Sequence, residues 1–454
     1  MSDITASTAI STPQVGDDRC VPTAAPRMVL WEKLGWAFMA GLMIVGLPLA
    51  YQRAVDRGPD LAGFCDAGTY ILQHGTRDPE STLARYWPSA DVPWIVFSLL
   101  PISVTVVVWY GLNCAAWYGL LHTICHRLLT GPDKTALRHA TLAAGLLATP
   151  LVLDGMALGS FHVPMVWLMA LGLDRACRGR QTSGGILLGT AAWLKLLPML
   201  GIAFLLYHRK WKAAAVELVT VATLEIVLSL AAFGPAGAWR EHVLWWQAGA
   251  KGTADRQLTS ADPEDEDRLT NQSVAVTLRR LCTSLGTTVE TPAAGPVTDA
   301  AGAKRELTAD GRTRRHVQLL ELSPGQLKTL FLAVMGLLML AVAIYCRPVS
   351  PAAWAEKGPA KIVMLVLATL WFSPVAWSYH FVAATPAVAT LLLRARYRWA
   401  WVLPVVVVWC AALCLLASDR FRVAGVLLWM SLIIGAGLVV YRAKGDTGVY
   451  ESRT

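Results

Sequence analysis

The stretch "GGILLGTAAWLKLLPMLGIAFLLYHRKWK" (residues 184–212) decides how the chain must fold. It is apolar from 184 to 207, and a helix needs about 20 apolar residues to cross a bilayer. Two residues interrupt it. Lys195 puts a charge into the apolar run, and Pro198 cannot continue a regular helix. Basic residues flank both ends, Arg178 and Arg180 before it and Arg209, Lys210 and Lys212 after it. Lys and Arg favour the cytoplasmic side, so a single crossing would strand one cluster outside. Two half-helices meeting near Lys195 satisfy both clusters. Non-helical backbone at that depth is tolerated where it is buried in protein or lines a wet cavity. The stretch therefore predicts a re-entrant pair with Lys195 at its tip.

The rest of the chain agrees in kind. It is 55% hydrophobic with mean hydropathy +0.46, and only 16% of it is charged, where a soluble domain would carry about 25%. Apolar segments fall near 31–51, 98–123, 138–158, 162–174, 184–207, 211–233, 326–346, 360–377, 379–394, 399–417 and 421–441. Counting 184–207 as two segments gives about twelve, with both termini cytoplasmic. The expected fold class is an all-α polytopic membrane protein, a helical bundle with outer-face loops. Residues 1–27 read as a disordered cytoplasmic tail, 28–441 as one membrane domain with outer loops 52–97 and 234–324, and 442–454 as a second tail. The first 27 residues lack a short apolar core and a cleavage site, so no signal peptide is expected.

Charge and cysteine usage exclude several functions. The net charge of +9 orients loops in a membrane protein and implies no nucleic acid partner, since no aromatic-interleaved basic patch or zinc finger accompanies it. The nine cysteines contain no CxxC pair, which argues against a zinc or redox centre. Pairing of Cys65 with Cys282 stays open.

The predicted topology gathers four polar features on the non-cytoplasmic side, with Lys195 pointing the same way. They are the loop 52–97, the turn "GSFH" (159–162), the loop 234–324 and the break "SPVAWSYH" (373–380). "FCDAGTYIL" (64–72) reads as an amphipathic helix in which Asp66 and Tyr70, four apart, share a face. A carboxylate held there could act as a general base; the plain alternative is a solvated loop acid or N-cap. Lys195 suits an anionic phosphate, or else snorkels to the interface. "LTNQSVAVTLRRL" (269–281) starts a helix at Asn271, Gln272 and Ser273, where free N–H groups favour anions or sugar hydroxyls. Arg279 and Arg280 follow two turns on, and an ordinary cap with a basic face is the alternative. "WREHVLWWQ" (239–247) reads as an interfacial helix, and 291–315 as a low-complexity mobile stretch. "DPEDED" (262–267) lacks calcium-loop spacing and reads as a solvated acidic run. Asp154 and Glu225 lie deep enough in apolar segments to need partners.

Taken together, these residues resemble the polyprenol-phosphate-mannose-dependent α-1,2-mannosyltransferases and related arabinofuranosyltransferases, multi-pass glycosyltransferases of type C. The resemblance runs from about Asp66 to His380. It rests on Asp66 with Tyr70, "GTRDP" (75–79), "RYWPSADVP" (85–93), "GTAAWLKLLP" (189–198) followed by "HRKWK", "NQSVAVTLRR" (271–280) and "SPVAWSYH". The chain departs from the family pattern at "GSFHV" (159–163) and at Tyr379, which stands where the family has a first His. The resemblance implies a polyprenyl-phosphate sugar donor, mannose first, and a lipid or glycan acceptor. It places transfer on the outer face of the inner (plasma) membrane, with no cofactor and no essential metal. It assigns Asp66 as base and Lys195, then Arg279, to the donor phosphate. His380 would serve the leaving group, position the acceptor or share the base role. Tyr70, His162, Asn271, Gln272, Ser273, Trp377 and Tyr379 would line the sugar site. Two other classes stay in view: a ligase moving a whole lipid-linked glycan, and a transporter or flippase.

Overall fold

A computed structural model describes residues 26–55, 61–78, 86–131, 133–247, 271–283, 287–289, 306–307, 313–315, 319–373, 376–395 and 425–445. The tails 1–25 and 446–454, the acidic run 262–267, most of 291–315, the apolar segment 399–417 and Pro374 lie outside the described residues.

The described chain is almost wholly helical. Its helices are α1 (Pro26–Val55), α2 (Leu61–His74), α3 (Val92–Ser98), α4 (Ile102–Thr123), α5 (Lys134–Leu158), α6 (His162–Cys177) and α7 (Gln181–Leu194). Then come α8 (Leu200–Tyr207), α9 (Trp211–Trp245), α10 (Val274–Cys282), α11 (Pro324–Tyr345), α12 (Pro351–Phe372), α13 (Thr385–Ala395) and α14 (Val426–Gly445). One small sheet accompanies the helices. Strands β1 (Thr287–Val289), β2 (Glu306–Leu307) and β3 (Thr313–Arg315) form a small antiparallel sheet in the order β1-β3-β2. Strands this short are held by ladder pairing and show no alternating pattern in the sequence.

Five helices among the described residues are long and apolar enough to cross a membrane, the spans Leu30–Gln52, Ile102–Leu128, Lys134–Leu158, Trp211–Trp245 and Pro324–Tyr345. The expectation of about twelve segments counted α7 (14 residues) and α8 (8 residues) as half-helices and included 399–417, which lies outside the described residues. α6, with 16 residues, falls below the length of a full crossing. α12 is long but carries Glu356, Lys357 and Lys361 in its first half.

The half-helix pair is present as an architecture. α7 stops at Leu194, and Lys195 is extended at φ −159°, ψ 134°. A short 3-10 turn, Leu197–Met199, then carries the chain into α8. The Ala213 N–H donates to the Gln181 side chain at 3.3 Å, so α7 starts beside the start of α9. α8 ends one tight turn before that same point, so both outer ends of the pair lie together and Lys195 lies at the far tip.

Small residues let α7 wedge between α6 and α9, a packing that suits membrane helices. A Cβ on Gly184 would lie 2.5 Å from the Ala176 nitrogen, and one on Gly189 would lie 2.7 Å from the Glu217 carbonyl oxygen. α9 is kinked where Gly234 takes φ 66° just before Pro235. The segment beyond the kink exposes Trp239 and Trp246, as an interfacial helix would. α5 closes on Gly159 at φ 82°, where a Cβ would sit 2.6 Å from Leu61 Cβ. That glycine therefore serves both the left-handed cap and the seating of α2.

Candidate active site

The polar features flagged in the sequence meet at the tip end of the half-helix pair. α12 ends at Phe372, and after the break residues 378–384 form a 3-10 helix. The Trp377 N–H donates to His380 Nδ1 at 3.1 Å, which aims Nε2 at Lys195. Lys195 Nζ lies 2.7 Å from that nitrogen. The His162 ring packs on the His380 ring with centroids 4.5 Å apart. Both histidines are buried, and among the described residues neither nitrogen of His162 has a hydrogen-bond partner. The buried Tyr379 ring adjoins Trp377, His162 and His380. A lysine and two imidazoles, drawn from segments up to 218 residues apart in sequence (His162 to His380), thus share one site. Such a set can hold an anion and deliver or accept a proton.

α2 packs against residues next to this site. Its inner face, Leu61, Phe64 and Ala67, packs with Trp94, Trp109 and Phe161, and Leu194 adjoins the same cluster. Phe64 and Phe161 have centroids 6.1 Å apart. α2 is therefore seated on the neighbours of both His162 and Lys195. Asp66 occupies the exposed face, without a hydrogen bond or ion pair among the described residues. Tyr70 shares that face and stacks on His74 at 4.1 Å.

Asn271, Gln272 and Ser273 are completely buried and grip the break. Asn271 Oδ1 accepts from the N–H of Ala376 and of Ser273, each at 3.1 Å. The Gln272 N–H donates to the Ala376 carbonyl at 2.7 Å. Ser273 caps α10 by accepting from Val276. Arg280 donates to the Asn271 carbonyl at 2.9 Å, and Arg279 is buried beside it. These residues tie α10 to the segment that presents His380. Cys65 and Cys282 are free thiols, so the open disulfide pairing is not formed.

Sequence reasoning missed a second polar cluster beside the first. Glu225 on α9 accepts from the Ser89 hydroxyl, the Ser89 N–H at 3.2 Å and Ser229 at 3.2 Å, and pairs with His242 at 3.0 Å. Trp193 donates to Ser89 Oγ at 2.6 Å. Trp87 stacks on Trp245 at 4.6 Å. Arg77 pairs with Asp91, and Thr76 donates to Glu241 at 2.9 Å. Burial pushes the Asp91 carboxyl up to about 7, against the pull of Arg77. Asp154, flagged only as needing a partner, accepts from the Ser378 hydroxyl. Apart from the depth of the two acids, no local signal could reveal these pairings, because Ser89 and Glu225 are 136 residues apart.

No group of three or more His, Cys, Asp or Glu suited to a metal ion occurs among the described residues. No curated protein matches the chain significantly. Residues 85–309 match the family model described as Glycosyltransferase family 87. The matched span includes Lys195, His162 and Arg279, while Asp66 and His380 lie outside it. On that match, and on its apolar helices, the protein is a membrane glycosyltransferase.

Proposed function

We propose that the protein moves a single sugar, mannose first, from a polyprenyl-phosphate donor to a lipid or glycan acceptor on the non-cytoplasmic face of the inner (plasma) membrane. The observation that carries this reading is the Lys195–His380 contact at the tip of a broken helix, with His162 packed on it. A lipid phosphate needs a cation at the depth where its chain can still lie among helices, and a broken helix with a lysine at the break meets that need. Arg279 adds positive charge from α10.

In the reaction, the acceptor hydroxyl oxygen bonds to the anomeric carbon as the bond from that carbon to the phosphate oxygen breaks. The lipid phosphate leaves with the electron pair, and its charge is met by Lys195, with His380 able to donate a proton. Asp66 takes the acceptor's proton. Its exposure on α2, a helix seated over the neighbours of His162 and Lys195, suits an acceptor that arrives from outside. Direct displacement inverts the anomeric centre. Tyr70, Trp377 and Tyr379 supply aromatic surface for sugar rings.

The test is transfer by purified protein from radiolabelled polyprenyl-phosphate mannose to a membrane lipid extract, wild type beside Asp66→Asn. Product from wild type alone supports donor class and base together. Product from both removes Asp66 as base. No product from either, with transfer from another polyprenyl-phosphate sugar, changes the sugar.

A further inference from the structure

The proposed mechanism leaves Asp154 unused. It lies on α5, one turn before the Gly159 cap, half-buried in the apolar second half of the helix. Its carboxyl accepts from the Ser378 hydroxyl, two residues before His380. The next residue makes a second contact with the same turn. A Cβ on Gly155 would come 3.0 Å from Tyr379 Cβ, so the α5 backbone already abuts the 3-10 turn. The opposite side of the turn is gripped by Asn271 and Gln272 through Ala376.

We propose that Asp154 is a positioning residue that acts through Ser378 to hold His380 in register with Lys195. The turn 378–384 is 3-10, whose bonding geometry is poorer than that of an α-helix. The His380 N–H donates to the Trp377 carbonyl at 2.9 Å, and side-chain anchors add to that single backbone bond in placing the imidazole. Asp154 anchors one residue of the first 3-10 turn and Trp377 N–H anchors the ring itself at Nδ1. Loss of the α5 anchor frees the turn to shift. A displacement of about 1 Å at a reacting group can cost about 100-fold in rate.

Two readouts test this, one of them independent of the proposed reaction. The first is the rate at which diethyl pyrocarbonate modifies His380 in the full-length protein in detergent, read by mass spectrometry. Wild type and Asp154→Asn, which keeps an acceptor for Ser378, should both protect His380. Asp154→Ala and Ser378→Ala should expose it at least about threefold faster through local opening, with unchanged thermal unfolding. Ser378→Ala removes a single oxygen and carries the test if Asp154→Ala does not fold. The second readout rests on the proposed sugar transfer. Both alanine variants should lower kcat by about tenfold or more while the donor KM stays within about threefold, and Asp154→Asn should restore kcat. Protection of His380 at the wild-type rate in both alanine variants overturns the proposal. So does an Asp154→Asn variant that is as slow as Asp154→Ala while His380 stays protected, since the charge itself would then be acting. If wild type transfers no sugar from polyprenyl-phosphate mannose, the functional reading fails, and the labelling alone still decides the role of Asp154.

Discussion

Two polar clusters lie side by side at the tip of the half-helix pair. They share α7, since Trp193 belongs to one and Lys195 to the other. In the Glu225 cluster every acid meets a donor. Glu225 has Ser89, Ser229 and His242, Asp91 has Arg77, and Glu241 has Thr76. That is how buried charge is normally carried, and its effect is to staple the first outer loop to α9. In the Lys195 cluster the lysine nitrogen meets one imidazole, and a second imidazole packs on the first. On the proposed reading, the Glu225 cluster holds the fold and the Lys195 cluster receives a ligand with negative charge.

The comparison can be broken at either member. The largest effect is expected at Lys195. Lys195→Met should lower transfer by about 100-fold or more, the size seen when a group that stabilises transition-state charge is lost, while unfolding in detergent stays near wild type. A loss of stability with retained transfer would reverse the roles of the clusters. Glu225→Leu should do the opposite. It leaves Ser89 and His242 without their acceptor and should cost about 3 kcal/mol in stability, measured by denaturant or thermal unfolding.

A third acid sharpens the contrast, because it lies on the same helix as Glu225 with neither kind of support. Glu217 is fully buried, and among the described residues neither of its carboxyl oxygens has a hydrogen-bond partner. It faces the interior of the half-helix pair, where a Cβ on Gly201 would lie 3.2 Å from it. Replacing it by Met should stabilise the protein by about 1–3 kcal/mol, seen as a higher unfolding midpoint.

The smallest effect concerns pH. The Asp91 carboxyl titrates at about 7 in the fold against an ordinary 3.8, because of burial. The native state therefore keeps a proton that the unfolded chain has lost between those values, and this group's contribution to stability falls as pH rises across that window. Asp91→Asn should flatten the dependence of the unfolding midpoint on pH from about 4 to 7. An unchanged slope would remove Asp91 as its source.

The broken helix was legible because Lys195, Pro198 and the two basic clusters violate the pattern of a plain crossing. His380 was legible for the same reason, as a polar string inside an apolar run. Asp154 and Glu225 stood out as acids in apolar helices, yet their partners did not, because Ser378 and Ser89 come from segments far away in sequence. Asn271 and Gln272 looked like ligand groups at a helix start. Their contacts with Ala376 show that an N-terminal turn can equally grip a neighbouring loop, a choice that only packing makes. The number of crossings was least legible, since apolar length does not reveal where a helix such as α6, with 16 residues, stops.

The most direct measurement is binding of a polyprenyl phosphate without sugar to purified wild type, Lys195→Met and Glu225→Gln. A lipid phosphate held at the tip of the broken helix predicts that Lys195→Met weakens binding by about tenfold or more, while Glu225→Gln binds as wild type does. Equal binding by wild type and Lys195→Met would contradict it.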